Sequence, residues 1–255
     1  MSRLMTPWHL LPRERTMNFF DFHVHSHFSR DANMIPENLV RVAKKKGLRG
    51  VAITDHDTII GGVKAKKSCG SDFFVVVGAE IRTDVCEIIG LFLTEEVSST
   101  DPFAVIDEIR NQNGITVLPH PFRSFFPPRP QRPQSILRDI FEKIDVIETF
   151  NARSSVKANQ QAFALASTMG KPMIAGSDAH WYRELGRGKT LVAPFTSEDD
   201  LRKNLLTGRT RIEDTRNTFP QSTPFLVLSA LYGRIGRFSQ KSRVRSRLQR
   251  SATKT

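Results

Sequence analysis

Cysteine is scarce in this chain, and what there is follows no pattern. Cys69 and Cys86 form neither a CxxC pair nor a disulfide framework, which excludes a disulfide-stapled scaffold and points to a reducing, cytoplasmic home. No run of 18 apolar residues occurs, so no transmembrane helix is expected. Residues 1–17 carry Arg3, Arg13 and Arg15 without an apolar core, which is not the pattern of a secretory signal. GxGxxG and P-loop patterns are missing too, and a Walker-type site for nucleotide hydrolysis goes with them. Acidic residues are absent from residues 215–255, which hold nine Lys and Arg, while residues 17–214 hold 26 basic against 25 acidic residues. The formal charge of +12 therefore belongs to the ends, and a pI near 10.2 does not make the body a nucleic-acid binder.

What is present suits one sizeable α/β domain: 255 residues, 39% hydrophobic and 25% charged, with no internal repeat. Short apolar or β-branched runs at 19–24, 50–54, 73–78, 87–93, 115–118, 145–148, 172–175 and 189–192 carry the signature of buried strands. Helix signals lie between them. Pro36 opens one helix and Gly47 stops it, Asp101 with Pro102 opens another that Gly114 ends, a third runs from Ser155 to Gly170, and a fourth from Ser197 to Gly208. Strand and helix in succession imply a parallel sheet or barrel. The Pro-rich stretch 125–133 can be neither helix nor central strand, and is expected to form a loop beside the site or a plain surface connection. The chain thus divides into an N-terminal extension (1–16), a nearly neutral body (17–214) and a basic tail (215–255).

Six of the seven histidines fall in four short clusters: Asp21-Phe22-His23-Val24-His25-Ser26-His27, Thr54-Asp55-His56-Asp57-Thr58, Leu118-Pro119-His120-Pro121 and Ser177-Asp178-Ala179-His180. In a strand, His23 and His25 project to the same side, so one segment can offer two ligands to one ion. His27 keeps that parity but lies past the strand. Asp55, His56 and Asp57 follow an apolar strand, where α/β folds place ligands and the groups that orient them. Asp57 equally suits a turn or cap. Later strands deliver Glu80, Glu87, His120, and the pair Asp178 and His180. Imidazole and carboxylate together are the ligand set for Zn²⁺, Mn²⁺ or Fe²⁺.

Those motifs, in this order over residues 17–210, resemble the PHP (polymerase and histidinol phosphatase) superfamily of metal-dependent phosphoesterases. The resemblance implies a distorted (β/α)7 barrel with a cluster of three divalent ions at its C-terminal mouth. Carried over residue by residue, it implies one site of His23, His25, Glu80 and Asp178, with Glu80 as the shared bridging carboxylate. Glu80, Glu87 and His120 match a second site, and Asp31, His56 and His180 a third. Glu87 stands where many relatives carry His, a hard-oxygen change that favours Mn²⁺ or Mg²⁺ over Zn²⁺.

Divalent ions suit phosphoester hydrolysis because they acidify bound water and polarise phosphoryl oxygens. Glu80 and His180 are the candidate catalytic residues; His180 or a metal-bound water would serve as acid. Arg123 and Arg153 are candidates to hold phosphate, with surface arginines as the plain alternative, and Asn151 is a candidate to bind substrate or orient the site. The expected activity is hydrolysis of a phosphate ester of a small metabolite, nucleotide or oligonucleotide end. Histidinol-phosphate phosphatases, nucleoside bisphosphate phosphatases and RNA exonucleases are among the superfamily's activities, and the chain has no polymerase-like extension. The alternative is a nucleic-acid-associated module with little turnover, whose basic arm at 234–250 binds RNA or DNA. That arm is equally a solvated end.

Overall fold

The computed structural model describes residues 18–123 and 134–214. The N-terminal extension, the Pro-rich stretch 125–133 expected to form a loop, and the basic tail lie outside the described residues. Within them the chain forms strands β1 (Phe19–Val24), β2 (Gly50–His56), β3 (Phe74–Arg82), β4 (Glu87–Leu91), β5 (Ile115–Leu118), β6 (Val146–Asn151), β7 (Met173–Gly176), β8 (Gly188–Val192) and β9 (Thr210–Asp214). Helices α1 (Pro36–Lys45), α2 (Ile60–Ser68), α3 (Pro102–Asn111), α4 (Gln134–Lys143), α5 (Val156–Met169) and α6 (Glu198–Leu206) complete the order. No helix among the described residues is long and apolar enough to cross a membrane.

All nine strands join one sheet in the order β7-β6-β5-β4-β3-β2-β1-β8-β9. The sheet curls until β7 meets β1: Val24 and Ala179 form a parallel bridge, and His25 N donates to Ala179 O at 2.9 Å. The result is the α/β barrel expected from the sequence. Regular alternation toward a parallel sheet is not kept, however, because β4, β8 and β9 pair antiparallel to their neighbours. For β3 and β4 the cause is connection length. Only residues 83–86 separate β3 from β4, and a parallel crossover needs a dozen or more.

One apolar cluster draws a residue from every barrel strand, so it fills the interior: Phe20, Ala52, Val76, Ile89, Val117, Val146 and Ile174 are among its members. Leu201 and Leu205 of α6 join that cluster. Further clusters lie beneath the helices, with Leu39 and Ala65 against Val51, and Ile106 and Ile109 against Ile88. Burial of each large side chain contributes about 1.5–3 kcal/mol, and this is the reserve against which a mouth of buried polar groups is held open.

Candidate metal centre

Six parallel strands end at one rim, and antiparallel β4 begins there. The ladder sets His56 opposite Glu80 and Arg82 opposite Glu87, so the ends of β2 and β3 and the start of β4 stand level. In β1, Asp21 and Val24 are three apart yet pair with Val51 and Ile53, two apart. This bulge turns Asp21 and Val24 to one face and leaves His23 and His25 on the other, re-aiming a strand as bulges near sites do. His120 and Asp178 follow β5 and β7 with φ of 28° and 53°, left-handed values that cost a non-glycine residue and gather at functional sites.

The nine candidate ligands converge. His23 Nε2 and His25 Nε2 stand 3.1 Å apart, each 3.4 Å from Glu80 Oε2, and 3.8 and 3.4 Å respectively from Asp178 Oδ1. Glu80 Oε1 turns the other way, 2.9 Å from His120 Nε2, which lies 3.9 Å from Glu87 Oε2. On the third side Asp31 Oδ2 is 3.3 Å from His180 Nε2 and 3.6 Å from His56 Nε2. Glu87 is the most loosely gathered. Groups of donor atoms close enough to share an ion are His23, His25 and Asp178; His23, Glu80 and His120; and His25, His56 and His180.

Partners behind these side chains fix their orientation. Ser29 Oγ is 3.0 Å from His25 Nδ1 and donates to Asp55 Oδ1 at 2.9 Å; Asp55 also accepts from Ser26 N and Oγ at 2.6 Å each. The hydrogen on His25 is thereby directed to Nδ1, leaving the Nε2 lone pair for the cluster. Asn151 is buried, its Nδ2 donating to Glu148 Oε2 at 3.1 Å and to Asp178 Oδ2 at 3.4 Å. Arg123 Nη1 pairs with Asp178 Oδ2. Arg153 Nη1 stands 2.5 Å from His180 Nδ1 and 3.5 Å from Asp178 O. Glu184 Oε2 accepts from the backbone N of His180 at 2.9 Å and of Trp181 at 3.2 Å, holding the loop that carries His180.

The charges are strongly perturbed. Burial works against ionised Glu80 and Asp178, yet both are held well below the usual carboxylate range, Glu80 by His23 and His56, Asp178 by Arg123 and His23. Burial, reinforced by His180 and His56, pushes His25 down to about 3. His56 goes the other way, to about 9, because Glu80 and Asp31 outweigh its burial.

The residues fit a set of divalent cations. Donors around a four-coordinate ion with bonds of about 2.0–2.1 Å stand about 3.3–3.4 Å apart, close to the spacing of His23, His25, Glu80 and Asp178. In addition, Asp31 Oδ1 is buried without a hydrogen-bond partner, and a buried acceptor left so is unfavourable unless something else engages it. Other sequence candidates lie apart: His27 is exposed, and Asp57 accepts from Arg82 N at 3.0 Å in a turn. Sequence reasoning missed Glu148, whose Oε1 is 3.0 Å from His23 Nδ1; it closes the short run 145–148 and gave only the weak signal of a charge in a buried strand.

A family model described as the PHP domain matches residues 21–179, and one described as PHP-associated matches residues 156–210. The chain belongs to the PHP domain family. This PHP protein is 39% identical over 146 residues to the uncharacterized protein MJ1587 of Methanocaldococcus jannaschii, covering 52% of this chain and 81% of that one. It is 34% identical over 187 residues to the uncharacterized protein MJ0417 of the same organism, covering 71% and 74%. Among solved structures it resembles a two-domain protein from Bacteroides vulgatus containing a predicted PHP-like metal-dependent phosphoesterase (TM-score 0.64, 21% identity, 78% of this chain and 65% of that one). The PHP chain thus spans just under two thirds of that structure. It also resembles PsfC from Pseudomonas syringae (TM-score 0.62, 18% identity, 86% and 99%).

Proposed function

We propose that this PHP protein is a metal-dependent phosphoesterase that hydrolyses a phosphate ester of a small metabolite, nucleotide or oligonucleotide end. The observation that carries the reading is the convergence of His23, His25, Glu80 and Asp178, from three separate segments, with the separations given above. In this reading these four hold one cation, Glu80, Glu87 and His120 a second, and Asp31, His56 and His180 a third. Mn²⁺, Zn²⁺ and Fe²⁺ suit such mixed nitrogen and oxygen donors, and Mg²⁺ suits the oxygen-rich second position best. Bound there, the cations supply Lewis-acid charge to a phosphoryl group and acidify water.

The chain's own residues position the substrate. His23, His25, Glu80 and Asp178 are sealed, whereas the side chains of Asp31, His56 and Arg123 are 31%, 23% and 28% exposed. Substrate therefore approaches from that edge. Arg123 and Arg153 flank Asp178 there, where guanidinium forks suit phosphate oxygens. Asn151, buried behind Asp178, orients that carboxylate rather than touching substrate. In this reading Glu80 and His180 act on the reacting atoms through the cations that they would hold. Both His180 nitrogens already have partners, so its part is that of a ligand more than a free proton donor.

The test is to strip the full-length protein with chelator, reload it separately with Mn²⁺, Zn²⁺, Fe²⁺ and Mg²⁺, and assay each form. Substrates would be p-nitrophenyl phosphate, bis(p-nitrophenyl) phosphate, nucleoside bisphosphates and end-phosphorylated oligonucleotides. Cation-dependent cleavage of at least one class is expected, abolished in His25→Ala and Asp178→Asn. Cation-loaded protein that cleaves none of them overturns the reading.

A further inference from the structure

We infer that Glu148 is a positioning residue that couples the first and second cation sites, fixing the ring of His23 in one and the backbone of His120 in the other. The inference rests on the metal-dependent reading above. Glu148 lies inside β6 and is 1% exposed. A buried carboxylate is tolerated only when its oxygens are engaged, and here they are. Oε1 stands 3.0 Å from His23 Nδ1, while Oε2 accepts from His120 N at 2.8 Å and from Asn151 Nδ2 at 3.1 Å.

Each contact has a consequence at the mouth. A carboxylate at Nδ1 keeps the hydrogen on that nitrogen and turns the Nε2 lone pair toward His25, Glu80 and Asp178, as carboxylates behind metal-binding imidazoles do. The bond to His120 N holds a residue whose φ of 28° would otherwise relax, and so places its ring against Glu80 Oε1. The chain also reserves room for the contact. A Cβ on Gly176 would stand 2.6 Å from Glu148 Oε1 and 2.3 Å from His23 Cβ, so only glycine lets β6, β7 and β1 close around this pair. His23 serves one proposed cation and His120 another, so a single carboxylate sets the geometry of both.

Glu148→Gln keeps the shape but exchanges one acceptor oxygen for an amide donor, so at least one of the three N–H groups loses its acceptor. Affinities for Zn²⁺ and Mn²⁺ would be measured on the full chain by competition with a chromophoric chelator. Ser29→Ala, which removes an Oγ that faces His25 Nδ1, donates to Asp55 Oδ1 and accepts from His56 N, on the first and third sites, is the comparison. Binding at the first and second sites is expected to weaken about 10- to 100-fold in Glu148→Gln, whereas Ser29→Ala leaves the second site unchanged, with a cooperative melt retained in both. Reloading with Co²⁺ should show altered visible absorption in Glu148→Gln, a change that a merely structural role would not produce. Unchanged affinities and an unchanged Co²⁺ spectrum overturn the inference. If Glu148→Gln does not fold, ring ¹⁵N NMR of the Zn²⁺-loaded wild-type chain decides: a His23 ring protonated at Nδ1 is expected, and one protonated at Nε2 overturns it. A wild-type chain that binds no cation in the same titrations sinks the metal-dependent reading itself, a result distinct from failure of Glu148's role.

Discussion

Replacing Gly176 with Ala is the sharpest structural test, because the added atom has nowhere to go. It would meet His23 Cβ at 2.3 Å, Glu148 Oε1 at 2.6 Å and His23 N at 3.0 Å. Two of these atoms belong to β1 itself and the third is held by hydrogen bonding, so no flexible side-chain end can swing aside. Restoring ordinary contact distances of about 3.5 Å needs β1 and β7 to part by roughly 1 Å. That places the change at the upper end of overpacking, about 3 kcal/mol, or a fall in Tm of about 6–12 °C for a domain of this size. Gly170→Ala is the control. Gly170 has φ of 63° with nothing within 4 Å of an added Cβ, so the cost is backbone strain alone, about 1 kcal/mol. Calorimetric melts of chelator-treated protein compare the two, and Zn²⁺ titration shows whether displaced His23 weakens binding in Gly176→Ala alone. A Gly176→Ala protein as stable as Gly170→Ala, or one that binds Zn²⁺ like wild type, would refute the packing argument.

Cation affinity should strengthen with pH. In the cation-free protein His56 titrates near 9, raised by Glu80 and Asp31 against its burial, so its protonated form stabilises the fold fully below about 6.5 and that contribution fades toward about 9. A cation must expel this proton, and chelator competition that stays flat across the window would contradict the assignment. Arg123→Ala should lower kcat/KM about 10- to 100-fold, the worth of a hydrogen bond to a charged group, without weakening cation binding; loss of cations in the same variant would place Arg123 in the metal site instead. Asp101 accepts from Phe103 N at 3.1 Å and Ala104 N at 2.9 Å at the start of α3, so Asp101→Ala should cost about 1 kcal/mol with turnover unchanged, as read by denaturant melts and the phosphate-release assay.

Much of the mouth was legible because strands in a barrel must end somewhere, and a charged residue just past an apolar run has little other reason to be there. His23, His25, His56, His120, Asp178 and His180 all stood out this way. Strand ends were less legible. β2, β3 and β6 run on to His56, Arg82 and Asn151, because ladder bonding continues through polar residues that an apolar pattern stops at. Helix α2 escaped notice because Gly61 and Gly62 weaken its helical signal, yet the packing needs them: a Cβ on Gly61 would stand 2.0 Å from Asp55 Oδ2, and one on Gly62 3.1 Å from Val77 Cα. The Pro-rich stretch before α4 hid that helix, and β9 pairs only with β8, with too short a run to register alone. Glu148 was invisible for a deeper reason. When both faces of a strand are buried, alternation no longer tells which side faces the pocket.

In the metal-dependent reading, the reversed direction of β4 makes one proposed coordination position separable from the rest. Glu80 and Glu87 sit on the two arms of a single hairpin closed by residues 83–86, while His23, His56, His120 and Asp178 hang from other strands. A swap confined to that hairpin would exchange the proposed donor at position 87 while leaving the strands that carry the other candidates in place. On that reading, ion preference in this barrel would sit on an interchangeable insert, open to retuning by a few codons while the remainder of the framework stays as it is.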